Sequence, residues 1–179
     1  MNTYQTFRQK ALGMTKMLAL PIAAMLLAAC ARQPITAQQP SASAQNKQLV
    51  EQMIQKVFNE GDAASVDKFY AADFVEHEEG SPGQQGLEGI KAALPILHTA
   101  FPDFKMTLED VVVEGDKLVV RSTWSGTQKG EFYGIPSKGK RFFVNVMDIY
   151  RIKDGKIAEH WGMTDIMAMM TQLGAMPAP

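Results

Sequence analysis

The sequence predicts an α+β fold, with helices first and a meandering antiparallel sheet after them, on three observations. Apolar residues recur at helical spacing as far as about Phe101, and from Lys105 onward the hydrophobic period becomes two. Paired Gly-Asp and Asp-Gly steps then punctuate the second half at turn positions. Segregated helices and strands of this kind pack as a curved sheet with helices against one face.

The elements follow in order. Lys47 to Glu60 places Val50, Met53, Ile54, Val57 and Phe58 on one helical face, and Gly61-Asp62 ends it. Ala63 to Tyr70 is a second, short helix that buries Val66, Phe69 and Tyr70. Ala72 to His77 is a brief extended piece, and Glu78 to Gln85 is a loop containing glycine and proline. Gly86 to Phe101 is a third helix, with Pro95 its point of irregularity. Strands are read at Lys105 to Glu114, Lys117 to Gln128, Arg141 to Lys153 and Lys156 to Met163. Turns at Gly115-Asp116 and Asp154-Gly155 join them in pairs. A last helix, Thr164 to Leu173, stops at Gly174.

The chain before this domain is of another kind. Met1 to Lys16 carries Arg8, Lys10 and Lys16 and no acid, and the thirteen apolar residues Met17 to Ala29 are too few to span a bilayer comfortably. Residues 1–29 therefore read as a secretion signal. Leu27-Ala28-Ala29-Cys30 resembles the bacterial lipobox, which implies a lipid-modified Cys30 at the mature N-terminus and a membrane partner through that anchor. The plainer alternative is an ordinary signal peptide cut near Ala29. Ala31 in place of Asp resembles lipoproteins sent to the outer membrane, so the expected address is the cell envelope, on the periplasmic face of that membrane. Residues 30–45, rich in Gln, Pro, Ser and Ala, are a tether; residues 46–174 are one domain, and 175–179 a tail.

Charge and cysteine content exclude several functions. Taking the three leader cations from 18 leaves 15 Lys and Arg against 19 Asp and Glu, a net of about −4, which gives no footprint for nucleic acid. A single cysteine forms no intrachain disulfide. The three histidines, His77, His98 and His160, lie on separate elements without ligand spacing, so no metal is expected. Met163, Met167, Met169 and Met170 give the C-terminal end a pliable apolar surface, suited to core, to closing a pocket or to a homodimer contact.

One residue breaks the apolar pattern. Asp148 lies midway along a strand with Phe142, Val144, Val146, Tyr150 and Ile152 on its own side. Taking a carboxylate out of water costs several kcal/mol unless it is paired, protonated or faces a cavity. The hairpins place partners against it. A two-residue turn at Gly115-Asp116 sets Glu114 against Lys117 and Asp110 against Arg121. For the second hairpin, a two-residue turn at Asp154-Gly155 sets Asp148 opposite Trp161, and a three-residue loop sets it opposite His160.

Further short blocks carry a resemblance. Asn59-Glu60-Gly61-Asp62, Asp73-Phe74-Val75-Glu76-His77, Ala100-Phe101-Pro102-Asp103 and Val120-Arg121-Ser122-Thr123-Trp124-Ser125-Gly126-Thr127 are followed by Gly130-Glu131-Phe132-Tyr133-Gly134-Ile135-Pro136, Asp148-Ile149-Tyr150-Arg151 and Asp154-Gly155-Lys156-Ile157-Ala158-Glu159-His160-Trp161. In that order they resemble the SnoaL-like polyketide cyclase, or ester cyclase, family over the whole domain. The resemblance implies the nuclear transport factor 2-like fold, a cone of curved sheet and helices around a pocket. It also implies ring closure by intramolecular aldol condensation with an aspartate as acid/base and no metal or organic cofactor.

By matching position, Asp148 would be that aspartate. His160 and His77 are candidate partners in proton transfer, and Arg121, Trp124, Tyr133 and Trp161 are candidates for contacting a hydrophobic small-molecule ligand. The chain departs from many relatives at Gln128, where they carry histidine, and at Ser137-Lys138. Two functions are therefore carried forward. One is acid/base catalysis of aldol cyclisation or isomerisation on a hydrophobic carbonyl compound; the other is a non-catalytic lipoprotein of the same fold that binds a small molecule or presents an interaction surface. Epoxide hydrolysis, as in related limonene epoxide hydrolases, needs a second carboxylate where Thr123 stands.

Overall fold

The computed structural model describes residues 40–77 and 86–177. The leader, Cys30, most of the tether, the loop 78–85 and the last two residues lie outside the described residues. The chain runs through α1 (Ala42–Met53), its π-helical continuation (Ile54–Asn59), a 3-10 turn (Ala63–Ser65), α2 (Val66–Phe69), β1 (Tyr70–Glu76) and α3 (Gly86–Ala100). It continues through β2 (Lys105–Glu114), β3 (Lys117–Thr127), β4 (Arg141–Lys153), β5 (Lys156–Thr164) and α4 (Ile166–Leu173).

The helix α1 begins at Ala42, five residues before the expected start at Lys47. Ser41 starts it, its Oγ accepting the Ala44 N–H at 3.2 Å. Periodicity marks only the buried part, Val50, Met53, Ile54 and Val57; the cap sets the boundary. At the far end the His98 ring bonds the Phe58 carbonyl at 2.9 Å, covering one of the carbonyls a helix terminus leaves unpaired.

Five strands form one mixed sheet in the order β1-β5-β4-β3-β2. This corrects the expectation of a purely antiparallel sheet. The extended piece after α2 becomes an edge strand parallel to β5, with Glu76 level with His160. A parallel pair is closed by a long crossover rather than a hairpin turn, so no local turn signal announces it.

The first hairpin has the predicted register, with Glu114 opposite Lys117 and Asp110 opposite Arg121. The second departs from both expected registers. Its two-residue turn, with positive φ at Asp154 and Gly155, pairs Lys153 with Lys156 and Ile152 with Ile157. Ala158 is then skipped, and Arg151 pairs with Glu159, Tyr150 with His160, Ile149 with Trp161 and Asp148 with Gly162. A β-bulge moves every later residue of β5 by one place relative to β4. His160 thereby joins Asp148's face, and Trp161 turns away from it.

The inner face of β4, Phe142, Val144, Val146, Asp148, Tyr150 and Ile152, is buried throughout. Val50, Met53, Val57, Leu94, Phe101, Leu118, Val120 and Met169 belong to the same core. The outer face is open instead and mixes charged residues with exposed apolar ones, Val112, Phe143, Met147, Ile149 and Met163.

Two side-chain amides dock helices onto the sheet where strand partners run out. Asn59 accepts from the Met106 N–H at 2.7 Å and donates to the Met106 carbonyl at 3.1 Å, along the open edge of β2. Gln172 of α4 treats Phe143 the same way, at 2.7 and 3.0 Å, beyond the point where β5 ends. Met106 is buried, so Asn59→Ala leaves two backbone groups without partners. The expected loss is about 2 kcal/mol in chemical denaturation; an unchanged midpoint would refute the docking role.

Candidate functional site

Three adjacent strands bring a carboxylate, an imidazole and a carboxylate into one row across the inner face. Glu76 of β1 meets His160 Nδ1 at 2.8 Å, and His160 Nε2 meets Asp148 Oδ1 at 3.1 Å. The His160 ring also lies stacked on Tyr150, with centroids 4.8 Å apart. The bulge at Ala158 creates the alignment, because it sets His160 diagonally across from Asp148 with Gly162 directly opposite. A glycine there places no side chain directly opposite Asp148.

The row has its own electrostatics. Burial pulls the His160 pKa down, but hydrogen bonds and charge from Asp148 and Glu76 outweigh it and raise the value to about 9. At neutral pH the ring is an imidazolium that donates through both nitrogens. Nearby Tyr70 is driven well above the ordinary phenol range by burial, then by the charges of Glu76 and Asp148, so it stays protonated; its hydroxyl reaches Met53 Sδ at 3.3 Å.

Asp148 itself is only 3% exposed. Its Oδ1 is held by His160, whereas Oδ2 is buried with no hydrogen-bond partner. Neither Arg121 nor Arg151 neutralises it. Arg121 is exposed on the opposite face of β3, and Arg151 grips Glu159 through Nε and Nη2.

The remaining residues singled out in the sequence are divided between the two faces. Trp124 is on the inner face, between Phe58 and Phe104, with its Nε1 buried and unpartnered. His77 is not in the row: it bonds Glu159 at 3.0 Å and stacks on Trp161, ring centroids 4.4 Å apart. Trp161 also carries Lys117 Nζ 5.5 Å above its ring, and lines an outer groove of about 470 Å³ with Val112, Glu114, Val119 and Ile149. Tyr133 stands exposed in the Phe132–Ile135 turn, at the end of the sheet away from Asp148. Gln128 is buried, and its Nε2 donates to the Ile135 carbonyl at 3.0 Å, tying down that turn. No metal-binding group of His, Cys, Asp and Glu occurs among the described residues.

Glu76 was missed in the sequence, although a signal existed. Phe74 and Glu76 share one side of a strand, so a buried Phe74 directs Glu76 inward and His77 outward. Ser122 was missed too; alternation along β3 sets it on the same face as Val120 and Trp124.

Fold and site define a class: an α+β domain of nuclear transport factor 2-like fold whose sheet carries a buried carboxylate–imidazole pair on its inner face. The chain belongs to the SnoaL-like polyketide cyclase family, whose family model matches residues 48–173. It is 30% identical over 130 residues to the aklanonic acid methyl ester cyclase DnrD of Streptomyces peucetius, covering 70% of this chain and 88% of that one. With the aklanonic acid methyl ester cyclase DauD of Streptomyces sp. (strain C5) it shares 31% over 135 residues, 70% and 80% of the two chains. Among solved structures, TsrD from Streptomyces laurentii is 38% identical with a TM-score of 0.67, over 74% of this chain and 97% of that one.

The row makes stability depend on pH with a definite sign. A folded-state pKa raised from 6.5 to about 9 stabilises fully below about 6.5 and is lost as pH rises through about 9. Thermal melts of the protein should therefore fall between those limits, and His160→Gln should flatten that slope. A variant with the same slope as the parent would refute the assignment.

Proposed function

We propose that this domain carries out cofactor-independent acid/base chemistry, aldol cyclisation or isomerisation, on a hydrophobic carbonyl compound, with Asp148 as the acid/base and His160 as its partner. One observation carries the reading: a buried carboxylate with one oxygen held by an imidazolium and the other left without a partner. The names of the curated relatives, both ester cyclases, support the reaction class.

The chemistry follows from the two oxygens. Oδ2 accepts a proton from a carbon flanked by carbonyl groups, and the resulting enolate carbon attacks a second carbonyl within the same molecule. The charge-assisted hydrogen bond from His160 Nε2 to Oδ1 keeps the carboxylate in one rotamer while Oδ2 changes protonation state. Glu76, on the other side of the ring, fixes the orientation of the imidazolium. Proton return from Asp148 to the new alkoxide completes the cycle without net change in the protein.

Asp148→Asn conserves shape and still accepts the His160 hydrogen bond. It should fold normally and lose about 100-fold or more in kcat on any compound the parent turns over. Equal activity in the variant would remove Asp148 from the mechanism. A second reading is a carrier that holds the same kind of compound without converting it, and the lipoprotein-type leader favours it. In that case parent and variant differ in affinity only, and neither generates product.

The same proposal includes the envelope address. Cys30, acylated after cleavage of residues 1–29, would tether the domain to a membrane through residues 31–45. Cys30→Ser should move the protein from the membrane to the soluble fraction in cell fractionation; unchanged partition would contradict the anchor.

A further inference from the structure

Two tight turns among the described residues place two successive residues at positive φ, and they differ at the first corner. Asp154 and Gly155 have 51° and 72°; Tyr133 and Gly134 have 45° and 81°. Phe132 and Ile135 close the second turn by exchanging backbone hydrogen bonds at 3.0 and 2.9 Å. Aspartate suits such a corner, whereas a bulky side chain at positive φ is an outlier that costs about 1–3 kcal/mol. Burial does not offset the cost, because Tyr133 is 45% exposed and its one ring contact among the described residues is with neighbouring Phe132. The fold holds an aromatic ring out in water at a strained position.

The turn is firmly mounted. Gln128 Nε2 donates to the Ile135 carbonyl, Ser137 Oγ donates to the Gln128 carbonyl at 2.9 Å, and the Lys129 N–H donates to the Ala100 carbonyl at 2.7 Å. Phe132 packs edge-on against buried Phe101, with ring centroids 5.0 Å apart. Around this mount the charge reverses. Residues 129–141 carry Lys129, Lys138, Lys140 and Arg141 against Glu131, a net of +3 in a chain that is acidic once the leader is removed. All four cations are exposed, and none forms an ion pair among the described residues. Lys138 Nζ donates to the Gly174 carbonyl at 2.6 Å, a neutral partner that leaves its charge uncompensated.

We propose that the Tyr133-Gly134 turn seats on an anionic phospholipid surface, the Tyr133 ring entering the headgroup layer and the four cations facing lipid phosphates. Three features favour a lipid surface over a protein partner. The apolar tip is three side chains, Tyr133, Ile135 and Pro136, where a stable protein interface engages about 20–30 residues a side. Tyrosine, apolar in its ring and polar at its hydroxyl, suits the level of the headgroups. Basic residues behind such a tip gain from a negatively charged surface. The contact leaves the Asp148 row untouched, since Tyr133 stands at the other end of the sheet, and it fixes one orientation of the domain on the membrane.

The test introduces the reporter Tyr133→Trp into the full-length protein and mixes it with vesicles carrying brominated lipid, of phosphatidylglycerol in one series and phosphatidylcholine in the other. Trp124 and Trp161 give a baseline that the parent measures. Asp116→Trp, in the turn at the opposite end of the sheet, is the positional control. Bromine quenches an indole that enters the bilayer. The reporter at 133 should be quenched in phosphatidylglycerol and not in phosphatidylcholine, and the one at 116 in neither. Lys129→Gln and Arg141→Gln, each combined with Tyr133→Trp, should weaken insertion about fivefold, the effect of one cation near an anionic surface.

No quenching at 133 in either lipid overturns the proposal and leaves the basic tip to an acidic protein or to no partner. Equal quenching in the two lipids, or insertion unchanged in both charge variants, removes the electrostatic recognition and overturns it too. Equal quenching at 133 and 116 assigns the contact to the anchor alone. Tyr133→Asn, which suits the same corner, should melt no lower than the parent. A lower melting temperature would show that the ring is kept for packing on Phe132, and the lipid contact would lose its warrant.

Discussion

The structure depends on keeping a carboxyl group inside a sheet that is largely apolar on that face. Asp148 has buried neighbours along its own strand, Val146 and Tyr150, and buried Val120 beside it on β3. An isolated anion in such a position would be expelled or neutralised. What holds it is a single imidazolium, itself made cationic by two carboxylates. The Glu76–His160–Asp148 row is thus an electrostatic unit, and removing the ring would leave the buried Asp148 without its cationic partner.

That unit depends on one inserted residue. Without the bulge at Ala158, the two-residue turn would deliver Trp161 and Glu159 to the inner face and His160 to the outer one. With it, Glu159 turns outward to Arg151 and His77, Trp161 stacks on His77, and His160 turns in. One skipped rung sorts the charged and aromatic residues of β5 onto the two faces. Bulges near functional groups re-aim side chains in this way.

The fold was legible in the sequence wherever pattern is local. Both turns, the bounds of β2 and β4, and the first hairpin register follow from alternation and turn chemistry, and Gly174 stops α4 as expected, with φ of 73°. What alternation could not supply was the parallel pairing of β1 and the bulge, because each is decided by contacts distant in sequence. The site inherited that gap. Asp148 stood out as a carboxylate among apolar neighbours, but its partners required knowing which face of β5 looks inward. His77, Arg121 and Trp161 attract notice by residue type alone and stand on the other face; Glu76 and Ser122 attract none and stand on the inner one.

The unpartnered atoms carry the argument from shape to chemistry. A domain selected only for stability would place valine or alanine at Ser122 and phenylalanine at Trp124, since neither polar group repays its burial within the chain. Structural polar residues in this molecule behave differently. Asn59, Gln172 and Asp103 each complete at least two hydrogen bonds with backbone or side-chain groups, as polar residues with a purely architectural task do. The contrast within one chain distinguishes polar groups satisfied by the fold from those that only a guest molecule or water would satisfy. Both kinds occur on this sheet, and Ser122 and Trp124, of the second kind, share the inner face with the buried Asp148.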